Sequence, residues 1–333
     1  MIDYLNLLEY FLYAFFFALI VSPFVISIMK REKIKQTILH YVDNHKSKNG
    51  TPTMGGLIFL IAISVVSLIC FKGKSLYAKM TIIIFLCYGI VGFLDDFIKF
   101  KFKRNLGLRA YQKIIFQLLV SFAIGFFVYK NIGGVILLPF SNRLVDLKVW
   151  IIPLVILIYL ATTNSVNLTD GLDGLATSTT LIFLVSFVIL QAILTETGVI
   201  VYNISNIEEL KNLSVVSVVS CGALLCFLFF NCFPAKIFMG DTGSLALGSL
   251  IASVSIFSGL ELYIPILGIV FVASAVSVIM QVAYYKLTKK RIFLMAPLHH
   301  HFEKKGVHEV RITFCYSLVS LIVGVVVILI NIF

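Results

Sequence analysis

Ten long apolar stretches dominate this 333-residue chain, at about 7–29, 54–71, 78–98, 114–130, 148–164, 174–194, 213–231, 243–260, 263–285 and 312–332. A hydrocarbon layer about 30 Å thick takes roughly 20 apolar residues per helical crossing. Backbone polar groups inside that layer must be satisfied within the segment, so such runs fold as helices or not at all. Only 13% of residues are charged, against about 25% in an average soluble domain. The expected fold is therefore an all-α polytopic membrane protein, a bundle of ten transmembrane helices forming one domain over residues 1–333. Because many runs follow the first, it is read as a crossing and not as a cleavable signal peptide.

Ten crossings sort the connections into two sets. The segments 30–53, 99–113, 164–173, 232–242 and 286–311 hold 20 Lys and Arg, and the other set, with both termini, holds 7. By the positive-inside rule the first set is cytoplasmic and both termini face outward. The net charge of +11 is then a topology signal, and no nucleic-acid partner is expected. The same side carries Asp95, Asp96, Asp170, Asp173, Asp241 and all six histidines, so the chemistry is expected at a cytoplasmic-side groove. Six scattered cysteines lack paired spacing and read as small buried hydrophobes, with neither disulfides nor zinc implied.

Five stretches carry polar residues that a membrane helix does not need. Lys48 to Gly56 is a Gly-Thr-Pro-Thr-Met-Gly-Gly turn in which Thr53 can cap the next helix. Gly92 to Lys99 closes an apolar run with adjacent carboxylates, Asp95 and Asp96, costly neighbours for hydrocarbon. The basic cluster Lys99, Lys101, Lys103, Arg104, Arg109 and Lys113 follows, which fits anionic headgroups or an anionic substrate. Asn164 to Leu175 places Asn167, Asp170 and Asp173 between two apolar helices. If Asp170 and Asp173 open the second helix, they share one face and either cap it or line a polar cavity.

Asn231 to Ser244 is a Pro-broken connection ending in Gly240-Asp241-Thr242-Gly243, where a helix should start. Free N–H groups and the helix dipole there attract phosphate, while Asp241 would repel it unless a cation intervenes. Mg²⁺ binds through one or two carboxylates plus phosphate oxygens. Last, Met295 to Gly306 contains His299, His300 and His301. Adjacent histidines rarely point at one ion, and hard carboxylate oxygens favour Mg²⁺ over zinc. The imidazoles could instead meet phosphate or sugar oxygens.

Together with Asn105-Leu106-Gly107-Leu108-Arg109-Ala110, these blocks resemble, in order from about residue 33 to 311, the bacterial phospho-N-acetylmuramoyl-pentapeptide transferases. The Ala-Pro-Leu-His-His-His-Phe-Glu stretch looks like that branch rather than the related UDP-N-acetylglucosamine transferases. Gln36 to Asn44 and Val307 depart from the usual pattern. The resemblance implies transfer of phospho-MurNAc-pentapeptide from UDP-MurNAc-pentapeptide to undecaprenyl phosphate, giving lipid I and UMP with Mg²⁺. It also implies a multi-pass protein of the bacterial cytoplasmic membrane, acting in wall synthesis as a homodimer.

By the same carry-over Asp241 is the Mg²⁺ ligand and Asp95, Asp96 and Asp241 are the essential acids; of the adjacent pair, Asp96 is read as the group facing the lipid phosphate. Asn167, Asp170, Asp173, Phe238 and Gln281 belong to the nucleotide pocket, with Phe238 a stacking partner for uracil, and Asn231 is a further substrate-binding residue. Lys48, Thr53, Lys103, Lys113, His299, His300 and His301 contact the anionic substrates, with His300 foremost. Direct attack by the lipid phosphate is expected, since a monoester with a second pKa near 6 is already ionised at pH 7. The rival reading is a cation-coupled transporter, which would place its ionisable groups near the midplane and not at one end of the helices.

Overall fold

The computed structural model of the protein describes residues 4–32, 50–71, 75–102, 107–141, 143–200 and 207–332. Its twelve helices are α1 (Tyr4–Arg31), α2 (Gly56–Cys70), α3 (Leu76–Lys101), α4 (Ala110–Asn131), α5 (Ile151–Thr169), α6 (Leu175–Glu196), α7 (Ile207–Asn231), α8 (Gly240–Phe257), α9 (Ile264–Leu267), α10 (Ile269–Thr288), α11 (Leu298–Lys304) and α12 (Glu309–Ile332). All ten apolar runs are helical. Nine helices among the described residues are long and apolar enough to cross a membrane. The exception is α2, whose 15 residues reach about 22 Å at 1.5 Å per residue.

Two features lie outside the sequence expectation. Between α4 and α5 a short antiparallel hairpin pairs Val135–Leu138 with Arg143–Asp146, tied down where Phe140 N–H donates to the Tyr263 hydroxyl at 3.4 Å. The histidine stretch is itself a helix, α11. Cys232 and Cys315 are also exposed, unlike the buried cysteines expected.

Helix α8 is the centre of the bundle: every residue from Thr242 to Phe257 is buried. Its composition explains why. Gly243, Ser244, Ala246, Gly248, Ser249, Ala252, Ser253 and Ser255 present little bulk, and small residues let membrane helices approach closely. A side chain at Gly248 would strike the Thr163 backbone of α5, and one at Gly56 of α2 would strike Gly243. Ser244, Ser249 and Ser253 make hydrogen bonds inside the bundle, as Ser253 Oγ does to the Ser249 carbonyl at 2.7 Å while meeting the Tyr159 hydroxyl at 2.7 Å. By contrast α1, α4, α10 and α12 keep most of their surface outside the bundle.

Helix α3 lies along α8 and is held at both ends. At its start Glu209 of α7 accepts from Ser75 Oγ at 2.6 Å, Leu76 N–H at 2.7 Å and Tyr77 N–H at 3.0 Å, which satisfies amides that a helix N-terminus leaves free. Near its other end Gly92 sits against the Asp241 carbonyl so closely that a Cβ would overlap it. We therefore expect Gly92→Ala to destabilise the detergent-purified protein by about 1–3 kcal/mol, the usual cost of overpacking, read as a lowered thermal midpoint. A glycine distant from such a contact, Gly133, has open space around it, although its positive φ of 99° makes Ala strained there as well. The cleaner control is Ala110→Ser at the exposed start of α4, which should change stability by no more than about 0.5 kcal/mol.

Candidate functional site

The site forms where α3 ends, α4 and α8 begin and α5 breaks. Asp95 and Asp96 on α3 and Asp241 in the first turn of α8 bring carboxylate oxygens within 4.8 Å of one another. Three ionised acids this close repel one another, and two lysines offset that repulsion. Lys99 Nζ lies 2.6 Å from Asp95 Oδ2, 3.6 Å from Asp96 Oδ1 and 3.1 Å from Asp241 Oδ2. Lys113 Nζ lies 3.0 Å from Asp95 Oδ1 and also pairs with Asp241 Oδ2. Lys99 is three and four residues beyond the two acids, the spacing that puts it on their side of the helix. In the sequence it stands inside a basic cluster, with nothing local to single it out; the structure brings it to the acids.

The adjacent acids have different surroundings. Asp96 Oδ2 accepts from Thr242 N–H at 2.9 Å and Thr242 Oγ1 at 2.7 Å, which caps the amino end of α8 from outside the helix. Gly240, at φ 75°, has no side chain to collide with that carboxylate. Asp95 is wholly buried; its Oδ1 accepts from Leu108 N–H at 2.8 Å, and Gly107 passes against it where any side chain would clash. Asp241 keeps its outer oxygen toward the lysines, while Oδ1 accepts from Asn167 Nδ2 at 3.0 Å. Asn167 Nδ2 also reaches Ser244 Oγ at 2.8 Å, so α5 and α8 share one amide at the site.

The turn after α5 supplies the next wall. Asp170 and Asp173 do not open α6, so the condition under which their spacing would put them on one helix face is not met. Asp170 caps the end of α5 and α6 starts at Leu175 after Gly174 at φ 72°. Burial, and then the Asp241, Asp96 and Asp173 carboxylates, push the Asp170 acid up to about 8. Asp173 instead accepts from Ala235 N–H at 3.0 Å and holds the α7–α8 connection.

Over the Asp170-Gly171 turn lie His299 and His300 of α11, with the space a Gly171 side chain would take filled by their Nε2 atoms. His299 is fully buried, and neither ring nitrogen has a hydrogen-bond partner among the described residues. Burial, followed by the neighbouring His300, holds its pKa down at about 3.

Other expected site residues are engaged in shaping loops. Thr53 does not cap α2, whose N-cap is Gly55. Its segment is extended and zipped to the α7–α8 connection, with Phe238 N–H donating to the Pro52 carbonyl at 2.8 Å and Gly55 N–H to the Phe238 carbonyl at 2.8 Å. Thr53 Oγ1 nonetheless borders Gly240. Phe238 is half-buried.

Asn231 is buried, accepting from Thr177 Oγ1 at 2.8 Å and donating to the Ile237 carbonyl at 3.1 Å. Gln281 Oε1 accepts from Phe293 N–H at 2.9 Å and Ile292 N–H at 3.1 Å, and His301 Nδ1 accepts from Leu294 N–H at 3.1 Å. These two side chains clasp the α10–α11 connection. Lys48 and Lys103 lie outside the described residues.

Carboxylate and hydroxyl oxygens, with no soft donor in the cluster among the described residues, make this a hard-oxygen site. Opposite oxygens around Mg²⁺ are about 4.2 Å apart at 2.1 Å bonds, so a cluster within 4.8 Å fits such an ion through one or two carboxylates. Acids, lysines and a helix N-terminus at the ends of membrane helices are the parts of a membrane-embedded enzyme that handles phosphate. Comparison with known proteins agrees. A sequence profile described as Glycosyl transferase family 4 matches residues 77–259, and the phospho-N-acetylmuramoyl-pentapeptide-transferase signature 1 matches residues 48–60.

A protein of that name from Clostridium botulinum (strain Eklund 17B / Type B) is 44% identical over 316 residues, covering 95% of this chain and 93% of the relative. Its namesakes from Clostridioides difficile (strain 630) and Caldanaerobacter subterraneus subsp. tengcongensis are 40% and 43% identical. The first spans 94% of each chain, and the second 93% of this chain and 94% of the relative. The chain belongs to the phospho-N-acetylmuramoyl-pentapeptide-transferase family.

The buried His299 yields a pH prediction. Its pKa falls on folding, from about 6.5 in the unfolded chain to about 3. Its contribution is therefore fully present above pH 6.5 and is lost as pH drops, by about 2 kcal/mol at pH 5. Hydrogen exchange across 298–304 should accelerate between pH 7.5 and 5, after correction for intrinsic exchange, more in the native protein than in His299→Phe.

Proposed function

We propose that this chain acts as a single membrane transferase domain, moving phospho-MurNAc-pentapeptide from UDP-MurNAc-pentapeptide to undecaprenyl phosphate. The lipid phosphate oxygen bonds to the sugar-linked phosphorus, the bond from that phosphorus to the UMP phosphate oxygen breaks, and lipid I and UMP are the products. The reading is carried by one observation: three carboxylates and two lysines meet at the N-terminus of α8, in a chain of this family. Phosphoryl transfer asks for positioning and charge neutralisation above all, and that is what this cluster offers.

Mg²⁺ is the cofactor of the proposal, held by Asp241; it would neutralise diphosphate charge and orient the phosphate undergoing attack. Asn167 supports that placement by fixing Asp241 Oδ1, which leaves Oδ2 toward the substrate side. Lys99 and Lys113 hold phosphate oxygens once these take the place of Asp241 Oδ2 beside them. Asp95, sealed under Leu108 and Gly107, keeps both lysines on station. Asp96 holds the start of α8 in place through Thr242.

The acceptor phosphate needs no base, being ionised at neutral pH, so attack is direct and no phosphoryl-aspartate forms. The active site lies on the cytoplasmic face, in keeping with the basic residues that surround it. The clustering of ionisable groups at helix ends supports a transferase over a transporter.

Purified protein given Mg²⁺, undecaprenyl phosphate and UDP-MurNAc-pentapeptide should release UMP, and UDP-GlcNAc should not replace the donor. Release with neither donor would remove the proposal. Asp241→Asn should raise the Mg²⁺ concentration for half-maximal rate at least tenfold, whereas Asp96→Asn lowers the maximal rate with little change in that concentration. Equal shifts in both variants would overturn the division of roles.

A further inference from the structure

Glu303 lies outside the acids assigned above, yet it is only 8% exposed and is aimed at the site from behind. It follows His300 by three residues on α11, so the two side chains share a face, and its Oε2 lies 2.8 Å from His300 Nδ1. Helix α11 is in turn docked on α10 where Leu298 N–H donates to Ser277 Oγ at 3.0 Å. On the far side of the ring, His300 Nε2 has no hydrogen-bond partner among the described residues. It sits beside Gly171, where a Cβ would come within 2.9 Å of it. The neighbouring ring of His299 packs at 4.4 Å between centroids and leaves His300 little room to turn.

We propose that Glu303 is a positioning residue for the transferase reaction, holding the proton of His300 on Nδ1 and presenting Nε2 over Gly171 to the nucleotide-sugar donor. A carboxylate on one ring nitrogen decides both the tautomer and the ring plane, leaving the other nitrogen free to act. With side-chain exposures of 15% for His300 and 9% for Glu303, the pair is not shorted by water as a surface contact would be. Glycine at 171 belongs to the same device, because any larger residue would occupy the ground into which both imidazoles project. The proposal rests on the reading, implied by the family resemblance, that His300 contacts an anionic substrate, taken here to be the nucleotide-sugar donor.

The test is a double-mutant cycle with the full-length protein in detergent, following UMP release while each substrate is varied. Glu303→Leu should lower kcat/KM for UDP-MurNAc-pentapeptide about 10- to 100-fold, the usual loss when an orienting partner of a functional histidine is removed. KM for undecaprenyl phosphate should be unchanged. Glu303→Gln, whose amide oxygen can still accept from Nδ1–H, should recover most of the rate, and in a His300→Ala background Glu303→Leu should cost nothing further.

A Glu303→Leu loss as large in His300→Ala as in the native protein overturns the proposal, as does a Glu303→Gln variant as slow as Glu303→Leu. If His300→Ala alone runs at the native rate, the placement of His300 fails instead. A thermal midpoint measured for each variant separates loss of fold from loss of orientation.

Discussion

The contact on which the rest depends is the near-touching of α3 and α8 at Gly92 and Asp241. Only because neither helix carries bulk there can two acids of one helix and an acid of another approach within 4.8 Å. Such a cluster opposes itself electrostatically, and the two lysines make it tolerable. Removing one partner of a buried charge group is costly in a way that adding a surface pair is not. The bundle therefore spends its closest packing on holding like charges together, which is a poor route to stability and a good one to an anion-handling site.

Loops that cross the bundle end finish the job through backbone hydrogen bonds. The Pro52–Gly56 segment pairs with Phe238 and Met239, Asp173 takes the Ala235 amide, and Gln281 and His301 clasp residues 292–294. Several polar residues that look from the sequence like substrate contacts are thus occupied in shaping the walls. Irregular backbone at the edge of a membrane needs such partners, since each unmet amide in a dry setting costs a hydrogen bond. The result is a rim whose shape is determined by side chains that need not touch a ligand at all.

Sequence reading succeeded where a single physical signal dominates. Ten apolar runs and their flanking bases specified a helical membrane protein, and the acidic, glycine-rich breaks marked one end of it. Reading failed where several local outcomes were nearly equal. Thr53 could cap α2 but its chain pairs sideways instead, Asp170 could open a helix but ends one, and the hairpin at 135–146 has strands too short to stand out among apolar neighbours. Lys99 was hidden because a run of bases after a membrane helix is ordinarily a topology signal.

By itself, then, the sequence determined the solvent each segment needs, the helices that follow from it, and the blocks that place the chain in its family. Those properties are local: hydropathy over some 20 residues, and motifs read in order. Tertiary structure alone decided that Asp95 and Asp96, neighbours in the chain, have unlike surroundings. One is sealed by Leu108 with both lysines at hand, and the other caps α8 through Thr242. Successive residues on a helix point about 100° apart, so which job each acid takes depends on what α4 and α8 bring to its side, and no local pattern encodes that.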